Sequence, residues 1–169
     1  AEGINKTISL NVEHVNSAAK EIAELNEKIM NVEITGGHAN DERDRRDLLV
    51  KKLSEKLNIS YAEDTKTGML NITAGKTAVL VAGTTSTSLR TSPSEFEGMR
   101  VKYDLSEKGT AFDITDQFTG GIVGASLGVV GEKGEINQLS SGLQEMAYNI
   151  ANEVNKIHQE GFDRYNQTG

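Results

Sequence analysis

Hydrophobic residues recur every seven positions in the first part of the chain. The repeat consists of Ile8, Val15, Ile22 and Ile29, and the last three of these are followed at a distance of three residues by Ala18, Leu25 and Val32. This spacing is the a/d pattern of a long amphipathic helix, although polar Asn11 occupies one d position. The pattern predicts a helix over residues 4–32 with a periodicity of about 3.5 residues per turn.

A second helix is predicted directly after the first. Gly36 and Gly37 are typical of a helix end. Asn40 or Asp41 can accept a hydrogen bond from the free amides of a following helix, which is predicted to end near Leu57. The buried stripe of this helix is predicted at Leu49, Val50, Leu53 and Leu57. Two helices joined by so few residues fold back on each other as a hairpin.

The hydrophobic period changes to two between residues 58 and 114, with turn residues at Thr67-Gly68, Ala74-Gly75-Lys76 and Gly109. This alternation predicts four or five short strands in antiparallel hairpins. The predicted strands contain Ile59 and Tyr61, Met69–Thr73, Ala78–Val81, Met99–Leu105 and Ala111–Ile114. The segment Thr84–Ser94 is rich in Ser and Thr and contains the only proline, so it is predicted to be a surface loop or a mobile linker.

A glycine-rich stretch, Gly120–Gly134, leads into a second long helix predicted over Glu135–Glu160. Its apolar stripe is Ile136, Leu139, Leu143, Met146, Ile150, Val154 and Ile157. Two long amphipathic helices at opposite ends of a chain most economically bury their stripes together, with the shorter helix beside them. Alternatively, part of each stripe remains for another subunit, and periodicity alone does not choose between these interpretations.

The predicted fold class is α+β, a bundle of long amphipathic helices from both ends of the chain with an inserted small antiparallel β domain. Residues 1–57 and 119–169 are assigned to the bundle and residues 58–118 to the β domain. The predicted structural seam of the bundle is Ile8, Val15, Ile22, Leu25, Ile29, Leu49, Leu53, Leu57, Leu139, Leu143, Met146, Ile150, Val154 and Ile157.

Composition limits the classes of partner. The 169 residues, 36% hydrophobic and 25% charged, fit one ordinary domain or two small ones. A formal charge of -7 argues against nucleic acid and anionic membranes, which bind clustered Lys and Arg. The chain has neither a run of 18 apolar residues nor a signal-peptide pattern at its start, so we expect no membrane partner. Because Cys is absent, no thiol nucleophile or thiolate metal site exists.

The sequence contains no metal or cofactor motif. His14, His38 and His158 are too far apart along the chain to form a local metal motif. Gly75-Lys76-Thr77 resembles the end of a phosphate-binding loop, but Leu70 occupies the position of the first glycine of that loop. We therefore expect no cofactor and no metal.

The acidic and basic residues at the start of the second helix are the one candidate for catalysis. Asp44, Asp47 and Arg46 could serve a hydrolase as an acid/base pair with an electrostatic clamp. Alternating charges at a helix start usually form solvated pairs one turn apart, here Arg43 with Asp47. We favour the structural interpretation and expect no catalytic residues.

Three segments of the chain carry residues at the spacing of a known family. The first helix carries Ile22, Leu25-Asn26 and Ile29, and the second carries Asn40, Asp44-Arg45-Arg46-Asp47 and Leu49. The third segment contains Thr119-Gly120-Gly121, Met146-Ala147, Ala151, Val154-Asn155, His158 and Gly161-Phe162-Asp163. In order and spacing these segments resemble the flagellar hook-associated protein 1 family, and the resemblance covers residues 15–57 and 119–163. Arg45 replaces the Gln that is usual in the family, and Glu42-Arg43 replace residues that are often apolar.

The resemblance implies a structural subunit at the hook–filament junction of the bacterial flagellum, exported unfolded and located outside the cell. Its partners would be further copies, the hook protein and other hook-associated proteins of the flagellar axis. The chain would be the middle of a longer protein, and an isolated fragment could remain monomeric. The family-motif residues are Asn40, Asp44, Arg46, Asp47, Asn155, His158, Gly161, Phe162 and Asp163. A helical adaptor or coiled-coil interaction module unrelated to flagella is the alternative.

Overall fold

The computed structural model of the protein describes residues 2–94, 98–104, 111–130 and 135–160. Within these ranges the helices are α1 (Glu2–Ile34), α2 (Asn40–Lys56), α3 (Gly121–Val130) and α4 (Glu135–Glu160), and a 3-10 turn covers Thr115–Gln117. The strands are β1 (Ile59–Glu63), β2 (Leu70–Ala74), β3 (Ala78–Ala82), β4 (Thr85–Ser86), β5 (Leu89–Pro93), β6 (Met99–Asp104) and β7 (Ala111–Asp113). The predicted α+β class is confirmed.

Helix α1 is the element around which the buried core is arranged. All predicted seam positions at steps of seven are fully buried, namely Ile8, Val15, Ile22 and Ile29. A second buried row consists of Val12, Ala19 and Asn26. Each of these residues follows a seam residue by four positions. The predicted row lies one residue earlier, at Asn11, Ala18 and Leu25, and of these only Leu25 is buried. Because the two rows alternate steps of four and three, they face the same side of the helix.

Helix α2 folds back on α1 as predicted, but its start is not capped as predicted. Neither Asn40 nor Asp41 provides the cap, because the N-cap residue is Ala39, which makes no side-chain capping hydrogen bond. Ala39 itself is buried, so α2 begins inside the fold and not on its surface. Of the predicted stripe, Leu53 and Leu57 are fully buried, and Leu49 is half-buried against the core.

The seven described strands form two antiparallel sheets. The first has the order β1-β2-β3-β4 and the second the order β5-β6-β7. The pairing register between β2 and β3 shifts between Ile72 and Thr73 of β2. On β3, the two consecutive residues Leu80 and Val81 are both buried at this irregularity. The hydroxyl of Tyr103 in β6 donates a hydrogen bond of 3.1 Å to the carbonyl oxygen of Val79 in β3. The two sheets are thereby joined.

The prediction of a loop over Thr84–Ser94 is wrong, because this segment contains β4 and β5. Strand β5 pairs with β6 along its full length, and its Leu89 is buried in the core. The side-chain amide of Asn16 on α1 donates to the carbonyl oxygen of Leu89 and accepts from its N–H, both at 2.8 Å. These contacts stabilise a strand whose Ser and Thr residues give little hydrophobic signal.

Helix α4 is present, but the predicted closure of its stripe on α1 is wrong. The stripe residues are 57–67% exposed, namely Leu139, Leu143, Met146, Ile150, Val154 and Ile157. The main contacts of α4 with another described element are with α3. The buried rows of α1 are instead covered by α2, α3 and strands β3, β4 and β5. That side of α1 is therefore already occupied.

Helix α3 lies within the glycine-rich stretch, where no helix was predicted. Its buried residues Val123, Leu127 and Val130 follow helical spacing and join the same core cluster as residues of α1, α2 and both sheets. The division into a bundle of residues 1–57 and 119–169 and a β domain of residues 58–118 remains a prediction.

Gly121 allows α3 to begin against the end of α2. Its φ angle is +69°, a conformation that residues with a Cβ atom rarely adopt. A Cβ atom at this position would lie 2.4 Å from the carbonyl carbon of Lys56 and 2.5 Å from the nitrogen of Leu57. Because both neighbours are backbone atoms, they cannot move aside without displacing α2.

Replacing Gly121 by Ala is expected to lower the free energy of unfolding by more than about 2 kcal/mol, through backbone strain and the contact with α2. The matched control is Gly128→Ala in the same helix, where a Cβ atom would meet nothing within 4 Å. The control should be neutral or stabilising by up to roughly 1 kcal/mol, because Ala is the better helix former. Urea unfolding of both variants measures the difference, and equal stabilities would contradict the assigned role.

Candidate functional site

Two of the three motif segments meet in the interior of the protein. Arg46 projects from α2 toward Asn26 on α1, and its Nη1 atom donates to Asn26 Oδ1 at 3.3 Å. The Arg46 side chain is only 2% exposed, and Asn26 is fully buried. These are the buried polar residues in a core that is otherwise apolar in the described part of the chain. A buried charge requires partners, so its surroundings define the candidate site.

Asn26 uses both ends of its side-chain amide. Its Nδ2 atom donates to the carbonyl oxygens of Leu70 at 2.8 Å and Gly83 at 2.7 Å. Its Oδ1 atom accepts from the backbone N–H of Leu70 at 3.0 Å as well as from Arg46. Both donors of the amide are therefore satisfied. The amide attaches α1 to the start of β2 and to the turn between β3 and β4.

The guanidinium of Arg46 binds the hairpin formed by β1 and β2. Its Nη1 atom donates to the carbonyl oxygen of Gly68 at 2.7 Å, and its Nη2 atom donates to Glu63 Oε2 at 3.1 Å. The Nε atom lies 3.9 Å from Asp47 Oδ1. Glu63 thus provides the close counter-charge that burial of an arginine requires. Arg46 connects α2 with both α1 and the hairpin.

A second arginine shares Glu63 with Arg46. The Nε and Nη2 atoms of Arg43 donate to the two carboxylate oxygens of Glu33 at 2.7 and 2.8 Å, and its Nη1 atom donates to Glu63 Oε1 at 2.8 Å. We call Asn26, Glu33, Arg43, Arg46, Glu63 and Gly68 the arginine cluster. The predicted pair of Arg43 with Asp47 is wrong, because Arg43 is bound to these two carboxylates and the Asp47 side chain is 72% exposed.

The ion pair of Arg43 shifts the pKa values of both partners. The hydrogen bond from Arg43 is the main cause that lowers the pKa of Glu33 below its usual value of 4.5, and it outweighs the opposing effect of burial. Hydrogen bonds to Glu33 and then to Glu63 raise the pKa of Arg43. The ion pair therefore favours the charged form of both groups.

The turn before β2 provides the space for the arginines. Gly68 has a φ angle of +67° at the predicted Thr67-Gly68 turn. A Cβ atom there would lie 2.8 Å from Arg43 Nη2 and 3.2 Å from Glu33 Oε2. A side chain at this position would therefore displace the ion pair from its place beside the turn.

The other motif residues lie outside this cluster. Asn40, Asp44 and Asp47 are exposed on α2, and Asn155 and His158 are exposed on α4. Gly161, Phe162 and Asp163 lie outside the described residues. Of the motif residues, the structure brings Asn26 and Arg46 together, and the α4 segment belongs to the separate exposed stripe.

The polar contacts of Arg46 are internal to the protein. Its guanidinium binds Asn26, Gly68 and Glu63, and the side chain is 2% exposed, so it is not available in the way that the hydrolase alternative requires. In the described ranges, no three His, Asp or Glu side chains are grouped as ligands for a metal ion. None of the four helices described combines the length and the apolar composition that a membrane crossing requires.

Sequence reasoning did not identify Asn16, Glu33 and Glu63 as partners in these contacts. The carboxylates come from positions distant in sequence, and no local pattern connects them. Asn16 is a half-buried polar residue beside the seam of α1, and Asn26 lies directly in the second buried row. A polar residue in an apolar row was the available signal for Asn26.

Comparisons with known proteins place the whole chain in one group. The family described as the flagellar hook-associated protein FlgK helical domain matches residues 1–169. Flagellar hook-associated protein 1 of Escherichia coli strain K12 is 28% identical over 172 residues, which cover 98% of this chain and 30% of that protein. The protein of the same name from Salmonella typhimurium is 28% identical over 166 residues, which cover 95% of this chain and 29% of that protein.

A solved structure is also similar. The flagellar hook junction protein FlgK from Burkholderia pseudomallei superimposes with a TM-score of 0.68 and 25% identity, over 75% of this chain and 23% of that protein. The present chain spans about 30% of the length of the curated relatives that it matches.

Replacing Arg46 by Ala is expected to lower the free energy of unfolding by about 1–3 kcal/mol, because the buried Asn26 amide and the Gly68 carbonyl oxygen lose a hydrogen-bond donor. The adjacent Arg45 provides the control, since it is 68% exposed and pairs with Glu21 on the surface. Arg45→Ala should cost less than about 1 kcal/mol. Chemical denaturation compares the two, and a cost for Arg46→Ala as small as that of the control would contradict a structural role of the cluster.

Acid is expected to weaken the contact between α1 and α2. Because the pKa of Glu33 is lower in the folded state, its contribution to stability is complete above pH 4.5 and is lost as the pH falls through the folded-state pKa. Melting temperatures measured between pH 7 and pH 3 should therefore fall less steeply for Glu33→Gln than for the wild type. Exposed Glu27 on the same helix serves as the control, and Glu27→Gln should follow the wild-type curve.

Proposed function

Because the chain belongs over its whole length to the flagellar hook-associated protein FlgK helical domain family, we propose that it is part of a structural subunit at the hook–filament junction of the bacterial flagellum. In this role the full-length protein adapts the hook to the filament through packing between subunits. The observation that carries the proposal is the family match over residues 1–169, together with the likeness to a flagellar hook junction protein.

The internal contacts of the domain support a mechanical role. Asn16 and Asn26 bind α1 to one strand of each sheet, and Arg46 binds α2 to the same assembly. A helix attached to both sheets and to its neighbouring helix cannot slide along any of them without breaking hydrogen bonds to buried groups. A junction subunit needs such a body, since it transmits force between two neighbouring protein lattices.

The proposed partners are further copies of the protein, the hook protein and other hook-associated proteins of the flagellar axis. The location is outside the cell, after export through the flagellar secretion apparatus. The subunit is proposed to have no catalytic activity, and the commitment of the Arg46 guanidinium to internal partners supports this part of the proposal. A helical adaptor unrelated to flagella is not favoured by any of the comparisons.

Deletion of the gene for the full-length protein tests the proposal. The cells are expected to keep their hooks, to release flagellin into the medium and to lose motility. Re-expression of the full-length protein should restore the filaments, whereas a version without residues 1–169 should not. Electron microscopy of hooks and immunoblotting of secreted flagellin provide the measurements. Normal filaments in the deletion strain would overturn the proposed function.

A further inference from the structure

The first sheet has an open edge at β1. The edge strands of the two described sheets are β1, β4, β5 and β7. Strands β4 and β7 contain only two and three residues. Strand β5 packs against α1, which binds the backbone of Leu89 through Asn16, and it ends at Pro93. Strand β1 has five residues, of which Ser60–Glu63 are exposed. It is therefore the most accessible edge in the described part of the chain.

The usual protection against strand pairing is weak at this edge. Proteins commonly protect an exposed edge strand with lysine, proline or a bulge. Strand β1 has the sequence Ile-Ser-Tyr-Ala-Glu, and its only charged residue, Glu63, is bound by Arg43 and Arg46. The register shift of the first sheet lies between β2 and β3 instead. An extended peptide can therefore pair with β1 without meeting an unpaired charge or a missing donor in that strand.

The hydrogen bonds between β1 and β2 show which backbone groups face the open edge. The Asn58 carbonyl oxygen accepts from the N–H of Gly75 at 2.9 Å, and the Asp64 N–H donates to the carbonyl oxygen of Met69 at 2.8 Å. Successive residues of an antiparallel strand point their backbone groups to opposite sides. The even-numbered residues of β1 therefore bind β2, and the odd-numbered residues point to the open edge.

The odd-numbered residues of β1 are Ile59, Tyr61 and Glu63. The pairing of Glu63 supports the assignment, because its partner Leu70 has both its N–H and its carbonyl oxygen bound by Asn26 rather than by β1. Each odd-numbered residue contributes one N–H and one C=O group. The ladder with β2 thus leaves a row of backbone donors and acceptors for a partner outside the sheet.

A groove lies between this open edge and α2. It encloses about 520 Å³, and Val50 of α2, Leu70 of β2 and Tyr61 of β1 contribute apolar surface to it. The Tyr61 side chain is 62% exposed, although Ile72, its partner on β2, is fully buried. Paired residues share one face of the sheet, so the Tyr61 ring continues the apolar face beyond the core. A strand added at β1 would cover this ring and place side chains in the groove.

The charges along α2 favour an occupant with a defined polarity. Near Glu63, the Asp47 side chain is 72% exposed, and its partner, the Nε atom of Arg46, is 3.9 Å away. The same guanidinium is bound more closely by Glu63, at 3.1 Å. Lys51 lines the groove one turn further along α2. A positive charge on the occupant is therefore favoured at the Glu63 end and not at the other end.

The register of an added antiparallel strand defines a sequence pattern. Its first residue lies opposite Glu63 and near Asp47, and its third and fifth residues lie opposite Tyr61 and Ile59. The matching segment has Lys or Arg first and apolar residues third and fifth. In this chain the pattern occurs only within α1, α2 and β3, at Lys6–Leu10, Lys28–Val32, Arg46–Val50 and Lys76–Leu80. A second copy of these 169 residues therefore offers no free segment of this kind.

We propose that the groove between α2 and β1 binds an extended segment of another protein of the flagellar axis, which adds to β1 as a fifth strand of the first sheet. The segment carries Lys or Arg near Asp47 and apolar side chains opposite Tyr61 and Ile59. In this mode of recognition the backbone hydrogen bonds provide affinity and the side chains provide specificity. The inference rests on the proposed function, because the partner is an axial protein, and it deepens that proposal by naming the contact surface.

Two proline substitutions in the full-length protein test which backbone groups face the edge. Tyr61→Pro removes an N–H that points away from β2, so it should lower the melting temperature by less than about 3 °C. Ala62→Pro removes an N–H that binds β2 and should lower the melting temperature by more than about 6 °C. Equal effects of the two substitutions would overturn the assignment of the edge, and with it the proposal.

The same edge is tested in cells that lack the gene and receive full-length variants. Tyr61→Pro removes one edge donor, and Ser54→Trp fills the groove from α2 without changing the backbone of β1. Both variants should be secreted at the wild-type level, yet release flagellin into the medium as the deletion strain does. Lys52→Trp is the matched control, since Lys52 is exposed on the opposite side of α2, and it should keep its filaments. Normal filaments in both groove variants would overturn the proposal.

Photocrosslinking identifies the occupant. A photoreactive amino acid in place of Tyr61 of the full-length protein should form an adduct with another axial protein in assembled flagella. Antibodies against the hook protein and against each of the other hook-associated proteins identify the partner in the adduct. Ser54→Trp should abolish the adduct. Crosslinking only within one chain, only to further copies or to no axial protein would overturn the proposal.

The two proposals fail in different experiments. Normal filaments in the deletion strain would overturn the junction role. Loss of filaments in the deletion strain, combined with normal filaments in Tyr61→Pro and Ser54→Trp, would overturn only the contact at the groove.

Discussion

Burial of the Arg46 charge is the constraint on which the arrangement of the helices and the first sheet depends. A guanidinium that leaves water loses several kcal/mol of hydration, and only close partners offset that loss. Those partners are Asn26 on α1, the Gly68 carbonyl before β2 and Glu63 on β1. All three must be in position together, so the charge fixes the relative placement of α1, α2 and the β1–β2 hairpin. Apolar packing alone would tolerate small shifts between these elements.

Two asparagine side chains on α1 also fix the relative position of neighbouring elements. Asn16 and Asn26 each bind both the N–H and the carbonyl oxygen of one strand residue, Leu89 in β5 and Leu70 in β2. A side-chain amide used in this way replaces a neighbouring strand for that residue. Because the two residues stand on one helix, α1 is attached to the first strand of the second sheet and to the second strand of the first. The helix thus determines the spacing between the sheets.

The features that could be predicted from the sequence are those set by local periodicity. The boundaries of α1 and α2 follow from seams and turn residues, and the turn at Gly68 follows from its glycine. Strand β5 and helix α3 were not predicted, because Ser, Thr and Gly have weak propensities that tertiary contacts override. Arg46 lies four residues before Val50 and seven before Leu53, and therefore on the buried side of α2. This helical spacing is the only sequence feature that distinguishes Arg46 from the exposed Arg45. Its partners Glu63 and Gly68 come from distant positions that no period connects.

The exposed stripe of α4 shows why periodicity identifies an apolar face but not what covers it. The seams of α1 and α4 have similar patterns, yet Ile8, Val15, Ile22 and Ile29 of α1 are fully buried and the α4 stripe is mostly in solvent. Complete burial of a Leu or Ile side chain contributes roughly 1.5–3 kcal/mol. Six such side chains are more than half exposed, so the burial free energy that they do not contribute is comparable with the whole stability of a domain, about 5–15 kcal/mol. Periodicity therefore identifies both faces equally well, and only the tertiary contacts of α1 distinguish the buried face from the exposed one.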